Sequence, residues 1–219
     1  MKSPVKLLVR PDFSRETPDL GLVAGIDEAG RGPLAGPVVA ACLYVPPENR
    51  GHPVWKEVHD SKKLTPIKRE ILFPIIQSQS IFGIGEASAE EIDALNILQA
   101  TFLAMQRAVS DMTRAFSLTP DLVLVDGNRL PPALPCPAQF LVKGDSLSVS
   151  IASASILAKV TRDRLMSTLH AEFPAYGWDK NAGYGTPEHL TALEIHGHCA
   201  HHRKSFAPIC DMKLPRKTA

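Results

Sequence analysis

Long apolar runs are missing from this chain of 219 residues. No stretch approaches the roughly 20 apolar residues that a membrane-crossing helix needs, so no membrane span is expected. Lys2 and Lys6 accompany a short apolar run, Leu7 to Val9, which is too short for the apolar region of a secretory signal. Cysteine is scarce: four residues, at 42, 136, 199 and 210, none in a C-x-x-C pair. That spacing fits no familiar zinc or redox pattern, and the four are read as reduced thiols of a cytoplasmic protein. An excess of one charge is also missing. Lys and Arg number 24 against 23 Asp and Glu, a net charge of +1, which argues against nucleic-acid binding by bulk charge alone. Any such binding must rest on locally concentrated basic residues, or on metal ions that add positive charge. No internal repeat or low-complexity segment is visible.

What the chain has is enough apolar matter for a sizeable core, 44% hydrophobic residues, at a length that suits one domain with an appendage. Residues 1–19 mix charge and proline and read as a loose leader. Leu20 to Ile26 reads as a buried strand ending in Asp27-Glu28, and Val38 to Val45 as a second strand, near enough to pair antiparallel. Thr65-Pro66 is a helix start, with Pro74 predicting a kink or break further on. Ser80 to Glu86 is a strand candidate. Ser88 and Glu91 form a capping box, and Ile92, Leu95, Leu98, Phe102 and Met105 predict one long helix to about Ala115. Two further strands, Asp121 to Val125 and Ala138 to Val142, precede a helix from Ser146 to about His170 and another from Thr186 to near Gly197. Strands alternating with helices after an initial pair indicate an α/β domain with a mixed sheet.

Three of these strand-like runs close on an acid at a turn: Asp27-Glu28, Asp126-Gly127 and Lys143-Gly144-Asp145. Strand ends are where open α/β sheets place their sites, so acids far apart in sequence can meet there. Gathered carboxylates repel each other unless one is protonated or a cation is present, and hard divalent cations such as magnesium or manganese prefer oxygen ligands. Two such ions about 4 Å apart can activate water and stabilise a leaving oxygen of a phosphodiester. Each acid also has a plainer reading. Asp before Gly is a common turn, and Asp145-Ser146 can cap a helix. The adjacent pair Asp27-Glu28 is harder to explain that way, since two acids ending a core strand are costly without compensation.

Gly30-Arg31-Gly32-Pro33-Leu34-Ala35-Gly36-Pro37 follows directly. Its glycines permit close backbone approach, suited to a sugar hydroxyl, and Arg31 suits a phosphate. It is neither a Walker loop nor a dinucleotide fingerprint, and a tight turn between strands accounts for it equally. Lys62, Lys63, Lys143, Arg203 and Lys204 are candidates for phosphate contacts, or are solvated surface. Asn96 and Tyr184 are each readable as substrate-facing or as ordinary helix surface and loop aromatic. The dense group His196, His198, Cys199, His201 and His202 matches no zinc spacing and reads as structural.

Taken together, the stretch from Gly25 to Val39, Asp60 to Leu64, Ile92 to Ile97, Val125 to Gly127, Lys143 to Asp145, Ser150 to Asp163, Gly183 to Thr186 with His189, and His202 to Phe206 resemble, in order, the motifs of type 2 ribonuclease H. The resemblance spans roughly residues 20–209. It implies a ribonuclease H-like fold, a five-stranded mixed sheet flanked by helices, with a core over 20–170, a helical C-terminal part over 171–209, and tails at 1–19 and 210–219. It implies that Asp27, Glu28, Asp126 and Asp145 are catalytic and hold two Mg2+ or Mn2+ ions. It assigns ribose sensing to Gly30, Arg31 and Gly32, sugar stacking to Tyr184, and weaker substrate contacts to Lys62, Asn96 and Lys143. The implied substrates are RNA–DNA hybrids and DNA carrying single ribonucleotides. Cleavage falls 5′ of the ribonucleotide and leaves 3′-hydroxyl and 5′-phosphate ends, in ribonucleotide and RNA-primer removal. A monomer is expected. The chain departs from many members at Asn181-Ala182, where His-Lys is common. Rivals are another nuclease of the fold, a small-substrate phosphatase, and a non-catalytic hybrid-binding module. Acids that repel phosphate count against the last.

Overall fold

The structure is a computed structural model describing residues 10–212. Five strands, β1 (Val23–Ala29), β2 (Val38–Tyr44), β3 (Ile81–Ala87), β4 (Leu122–Asp126) and β5 (Ala138–Leu141), form one sheet in the order β3-β2-β1-β4-β5. β1 pairs antiparallel with β2 and parallel with β4, and β4 pairs parallel with β5. The helices are α1 (Pro66–Gln79), α2 (Ala89–Leu95), α3 (Ile97–Phe116), α4 (Val149–Glu172), α5 (Trp178–Asn181) and α6 (Pro187–His196).

Side chains alternate across a strand, and the two faces of the sheet are covered by different helices. Ala24, Ile26, Val38, Ala40, Cys42, Val123 and Val125 pack with α3. Ala41 and Leu43 face α4 and α1 instead. On that second face Val23, Leu122 and Leu124 close on Ile151 of α4. Glycines set the spacing between layers. A Cβ on Gly83 or Gly85 of β3 would fall 2.3 or 2.2 Å from carbonyl oxygens of α3, and one on Gly25 of β1 would fall 2.3 Å from the Ile151 nitrogen. Both helices therefore lie directly on the sheet backbone.

Several elements differ from the sequence expectation. β1 runs on through Asp27 and Glu28, because pairing with β2 continues to Ala29. The predicted long helix is two helices broken at Asn96, whose φ of 70° ends α2 and whose Oδ1 accepts from the nitrogens of Leu98 and Gln99 to start α3. Asn tolerates that left-handed φ and is a strong N-cap, so Asn96 works here as a cap and not as helix surface. α1 continues through Pro74, with Leu72, Phe73 and Ile76 buried about it. α4 begins at Val149, capped by Ser148 and not by Asp145. The capping box of Ser88 and Glu91 forms as the spacing predicts.

The supposed loose leader is ordered from Arg10 onward. Asp12 bridges Ser148, and Glu16 is fully buried; residues 1–9 lie outside the described residues, as does the basic tail over 213–219. The C-terminal part packs Tyr176, Trp178, Leu193 and Ile209 against Leu34 and Ala35 of the glycine loop and Met166 of α4. Among the described residues no helix is long and apolar enough to cross a membrane, and the four cysteines are free.

Candidate active site

Register brings the first acids together. Ile26 of β1 pairs with Val125 of β4, so Asp27 and Asp126 come next, side by side at the ends of neighbouring parallel strands. Alternation turns both toward the α4 face. Asp145 arrives from the other side of β5, in the 3-10 turn Gly144–Ser146 that leads into α4. The Gly144 N–H donates to Asp126 Oδ1 at 2.7 Å, which fixes that turn against β4. A Cβ on Gly144 would fall 2.5 Å from Ile151 Cδ1. A larger residue there would have to push the Ile151 side-chain tip aside. Glu28, on the opposite pleat, lines a recess with Asp126, Leu98, Thr101 and Phe102. A second cleft joins Asp27 and Glu28 to Asp60, Lys62, Lys159 and Tyr184.

The acids lie near enough to repel one another. Burial, then repulsion from Glu28, Asp126 and Asp145, pushes the Asp27 carboxyl well above the ordinary carboxylate range, against a 2.7 Å bond from the Glu28 N–H. Glu28 is raised by burial and by Asp126, with Arg31 pulling the other way from 3.4 Å. Asp145 is raised by burial, by Asp60 and by Asp126. Oxygen donors whose charges are uncompensated are the chemistry a hard divalent cation fits. Among the described residues no three His, Cys, Asp or Glu side chains stand ready around one point.

The glycine loop is a held structure and not a free turn. Arg203, fully buried, donates to the carbonyl oxygens of Gly30, Arg31 and Gly36. Arg162, also fully buried, donates to those of Ala35 and Pro37 and to Ala182. Burial lowers both guanidinium pKa values, Arg203 to about 9. Arg203 is thus removed from the candidates for phosphate contact, because its donors are spent on the loop. Gly30 sits at φ 97° with Arg162 Nε 2.0 Å from where a Cβ would be, so no side chain fits there. The same grip engages the carbonyls of Gly30 and Arg31, so the loop's free N–H groups are its main offering to a ligand.

Tyr184 stands 48% exposed beside Gly32, whose Cβ position is 3.5 Å from its ring. Its carbonyl accepts from His189 Nδ1 at 2.9 Å, which places the His189 proton on Nδ1. His189 Nε2 then accepts from Trp178 Nε1 and from His202 Nε2, both at 3.1 Å, and His202 Nδ1 accepts from the Cys199 N–H at 3.0 Å. The C-terminal histidine group is in this way divided: His202 is buried and neutral, held down to a pKa of about 3 by burial and by His189, while His196 is exposed. Asn181, where the family pattern differs, holds the same turn through bonds to the Tyr176 carbonyl and the Gly183 N–H.

Lys62 is exposed at the cleft, whereas Lys143 is exposed on the turn at φ 60° and does not line it. Lys63 reaches Ser146 and Asp60, and Lys204 is exposed while its backbone N–H bonds Asp93. Sequence reasoning passed over three contributors: Asp60, which repels Asp145; Lys159, paired with Asp163 at 2.7 Å; and Arg162. Asp60 had a signal in its motif. The two basic residues read as ordinary helix polarity until α4 is laid beneath the cleft.

The family model for ribonuclease HII matches residues 24–209. The chain is 54% identical over 91% of its length to a ribonuclease HII of Wolbachia pipientis, covering 97% of that protein, and 51% identical over 93% to one of Paramagnetospirillum magneticum, covering 99%. Its fold is similar to a ribonuclease HII from Archaeoglobus fulgidus solved in complex with PCNA, at 26% identity and a TM-score of 0.68, covering 90% of this chain and 98% of that one. Motif order, sheet topology and these relatives agree, and the chain belongs to the ribonuclease HII family, hydrolytic endonucleases that act on the RNA of RNA–DNA hybrids.

Proposed function

We propose that this chain cuts 5′ of a ribonucleotide, including a single ribonucleotide within duplex DNA, leaving 3′-hydroxyl and 5′-phosphate ends, and that Asp27, Glu28, Asp126 and Asp145 hold two Mg2+ or Mn2+ ions for the reaction. One observation carries this reading: acids from two parallel strands and a turn converge beside a clamped glycine loop, with the Gly144 N–H of the turn bonded to Asp126 and with Asp27 and Asp145 both repelled by Asp126. Divalent ions, when bound, supply activation of a water and stabilisation of the leaving oxygen. The chain's own residues do the rest. Asp27 and Asp126 offer oxygens from neighbouring strand ends, and Glu28 and Asp145 flank them. Gly30, Arg31 and Gly32 present backbone N–H groups to the ribose 2′-hydroxyl, the group that distinguishes RNA from DNA at one position. Tyr184 offers an exposed ring for stacking on the next sugar, and Lys62 neutralises a backbone phosphate. Asn96, whose Oδ1 caps α3, keeps its exposed amide N–H groups for a weaker substrate contact. Lys143, exposed at the start of the turn that carries Asp145, offers a weaker phosphate contact. The roles proposed for the protein are ribonucleotide and RNA-primer removal, as a cytoplasmic monomer.

The test is a DNA duplex carrying one ribonucleotide, incubated with and without magnesium, with the product ends mapped. A single cut 5′ of the ribonucleotide, only with the ion, is expected. Cleavage only within runs of several ribonucleotides, or without added ion, would remove this reading while leaving the family assignment intact.

A further inference from the structure

Glu16 lies before the residues that match the family model, in a segment whose sequence gives no functional signal, yet it is fully buried. Its Oε1 accepts from Ser148 Oγ at 2.6 Å and from the Ser150 N–H at 3.1 Å, and its Oε2 accepts from Ser150 Oγ at 2.6 Å. Ser148 Oγ is free to donate because it accepts from Ile151 N as the N-cap of α4. Three donors converge on one carboxylate at the start of a helix of 24 residues, and O–H···O bonds this short are of the charge-assisted kind. The backbone is held as well: Val149 N donates to the Asp12 carbonyl, and Arg50 Nη1 to that of Glu16.

The same serine leads to the acids. Ser148 N donates to the Gly144 carbonyl at 2.8 Å, and the Gly144 N–H donates to Asp126 Oδ1 at 2.7 Å. Asp145 is the next residue of that turn. The start of α4 also touches β1 at Gly25, two residues before Asp27, with no room for a Cβ between them. Glu16 therefore fixes the one junction from which Asp126 and Asp145 are both set and on which the Asp27 strand rests. We propose that Glu16 is a positioning residue for the carboxylate site, acting through Ser148 and Gly144, and that the segment from Asp12 to Glu16 is part of the catalytic scaffold. This rests on the reading of Asp126 and Asp145 as metal-holding acids.

Calorimetric titration with Mn2+ alone, together with steady-state cleavage of an RNA–DNA hybrid, tests it on the full chain. Loss of an outer support of this kind costs about 10- to 100-fold in metal affinity or activity. Glu16→Ala is expected to weaken Mn2+ binding and lower kcat within that range, with KM for the hybrid unchanged because the duplex contacts lie elsewhere. Glu16→Gln, which keeps an acceptor for Ser148 and can donate to Ser150 Oγ, is expected to stay within a few-fold of the parent on the same scale. If Glu16→Ala does not fold, Glu16→Asp, too short to span both serines, carries the measurement. A Glu16→Ala or Glu16→Asp variant that is folded, binds Mn2+ as the parent does and keeps its kcat overturns the proposal even if its melting temperature drops, since support of the fold alone leaves both unmoved. Asp126→Asn distinguishes the two failures: Mn2+ binding that this variant does not reduce defeats the metal-site reading itself.

Discussion

Asp27 sits under strong electrostatic tension. Its buried carboxyl is pushed well above the ordinary value of 3.8, first by burial and then by its neighbouring acids. The native state therefore holds a proton that the unfolded chain releases, and without metal the favourable contribution is complete below that ordinary value and is lost as pH rises through the raised one. Asp27→Asn is expected to abolish cleavage and yet raise the melting temperature in chelator at pH 8, with little gain at pH 4. In the parent, magnesium is expected to raise the melting temperature more at pH 8 than at pH 5. Thermal scans at the two pH values decide it, and a variant that melts lower at pH 8 contradicts the account. Both acids of the pair are legible in the sequence as costly residues ending an apolar run. The added push from Asp126 is not, since Asp126 lies nearly a hundred positions away and becomes a neighbour only through strand register.

At the scale of elements, two things position the site: helices laid directly on glycine-bearing strands, and a loop gripped from below. The sequence marks Gly83, Gly85 and Gly25 only as weak points in strands. Their reason is the partner helix. Gly85→Ala would drive its Cβ into the Ala104 carbonyl oxygen of α3 at 2.2 Å, and backbone cannot yield as a side-chain tip can. A loss of about 1–3 kcal/mol is expected, as for overpacked cores, read from the midpoint of urea unfolding; an unchanged midpoint would mean the two elements slide apart freely. The capping box at Ser88 was legible because it is local. The break at Asn96 was not, because the apolar spacing runs through it and only the φ of 70° at the cap redirects the chain. Arg203 shows the opposite error. In sequence it is one more basic residue near a C-terminus, and only the fold turns it inward onto Gly30, Arg31 and Gly36.

Across the whole molecule, the C-terminal part is coupled to the site through neutral imidazoles. His189 and His202 must stay uncharged: each already uses one nitrogen as an acceptor, and burial holds His202 down to about 3 and His189 below its ordinary 6.5. A histidine with a lowered folded pKa contributes stability above the unfolded value, which is lost as pH falls through 6.5 toward the folded one. In Asp27→Asn, which removes one opposing buried acid, stability is expected to decline from pH 7 to pH 5, followed by tryptophan fluorescence, to which Trp178 of the same cluster contributes. A flat profile would show that the pair does not bear on stability.

The order of strands and helices, the antiparallel first pair and the family itself were written in local patterns: apolar periodicity, caps, turns and contiguous motifs. Each depends on residues a few positions apart, and short-range chemistry is what a sequence displays. Which acids become neighbours, which arginines turn inward, which histidines lose their charge, and that Glu16 belongs to the scaffold were decided only in three dimensions. Those outcomes depend on register, burial and desolvation, which arise when distant segments exclude water together.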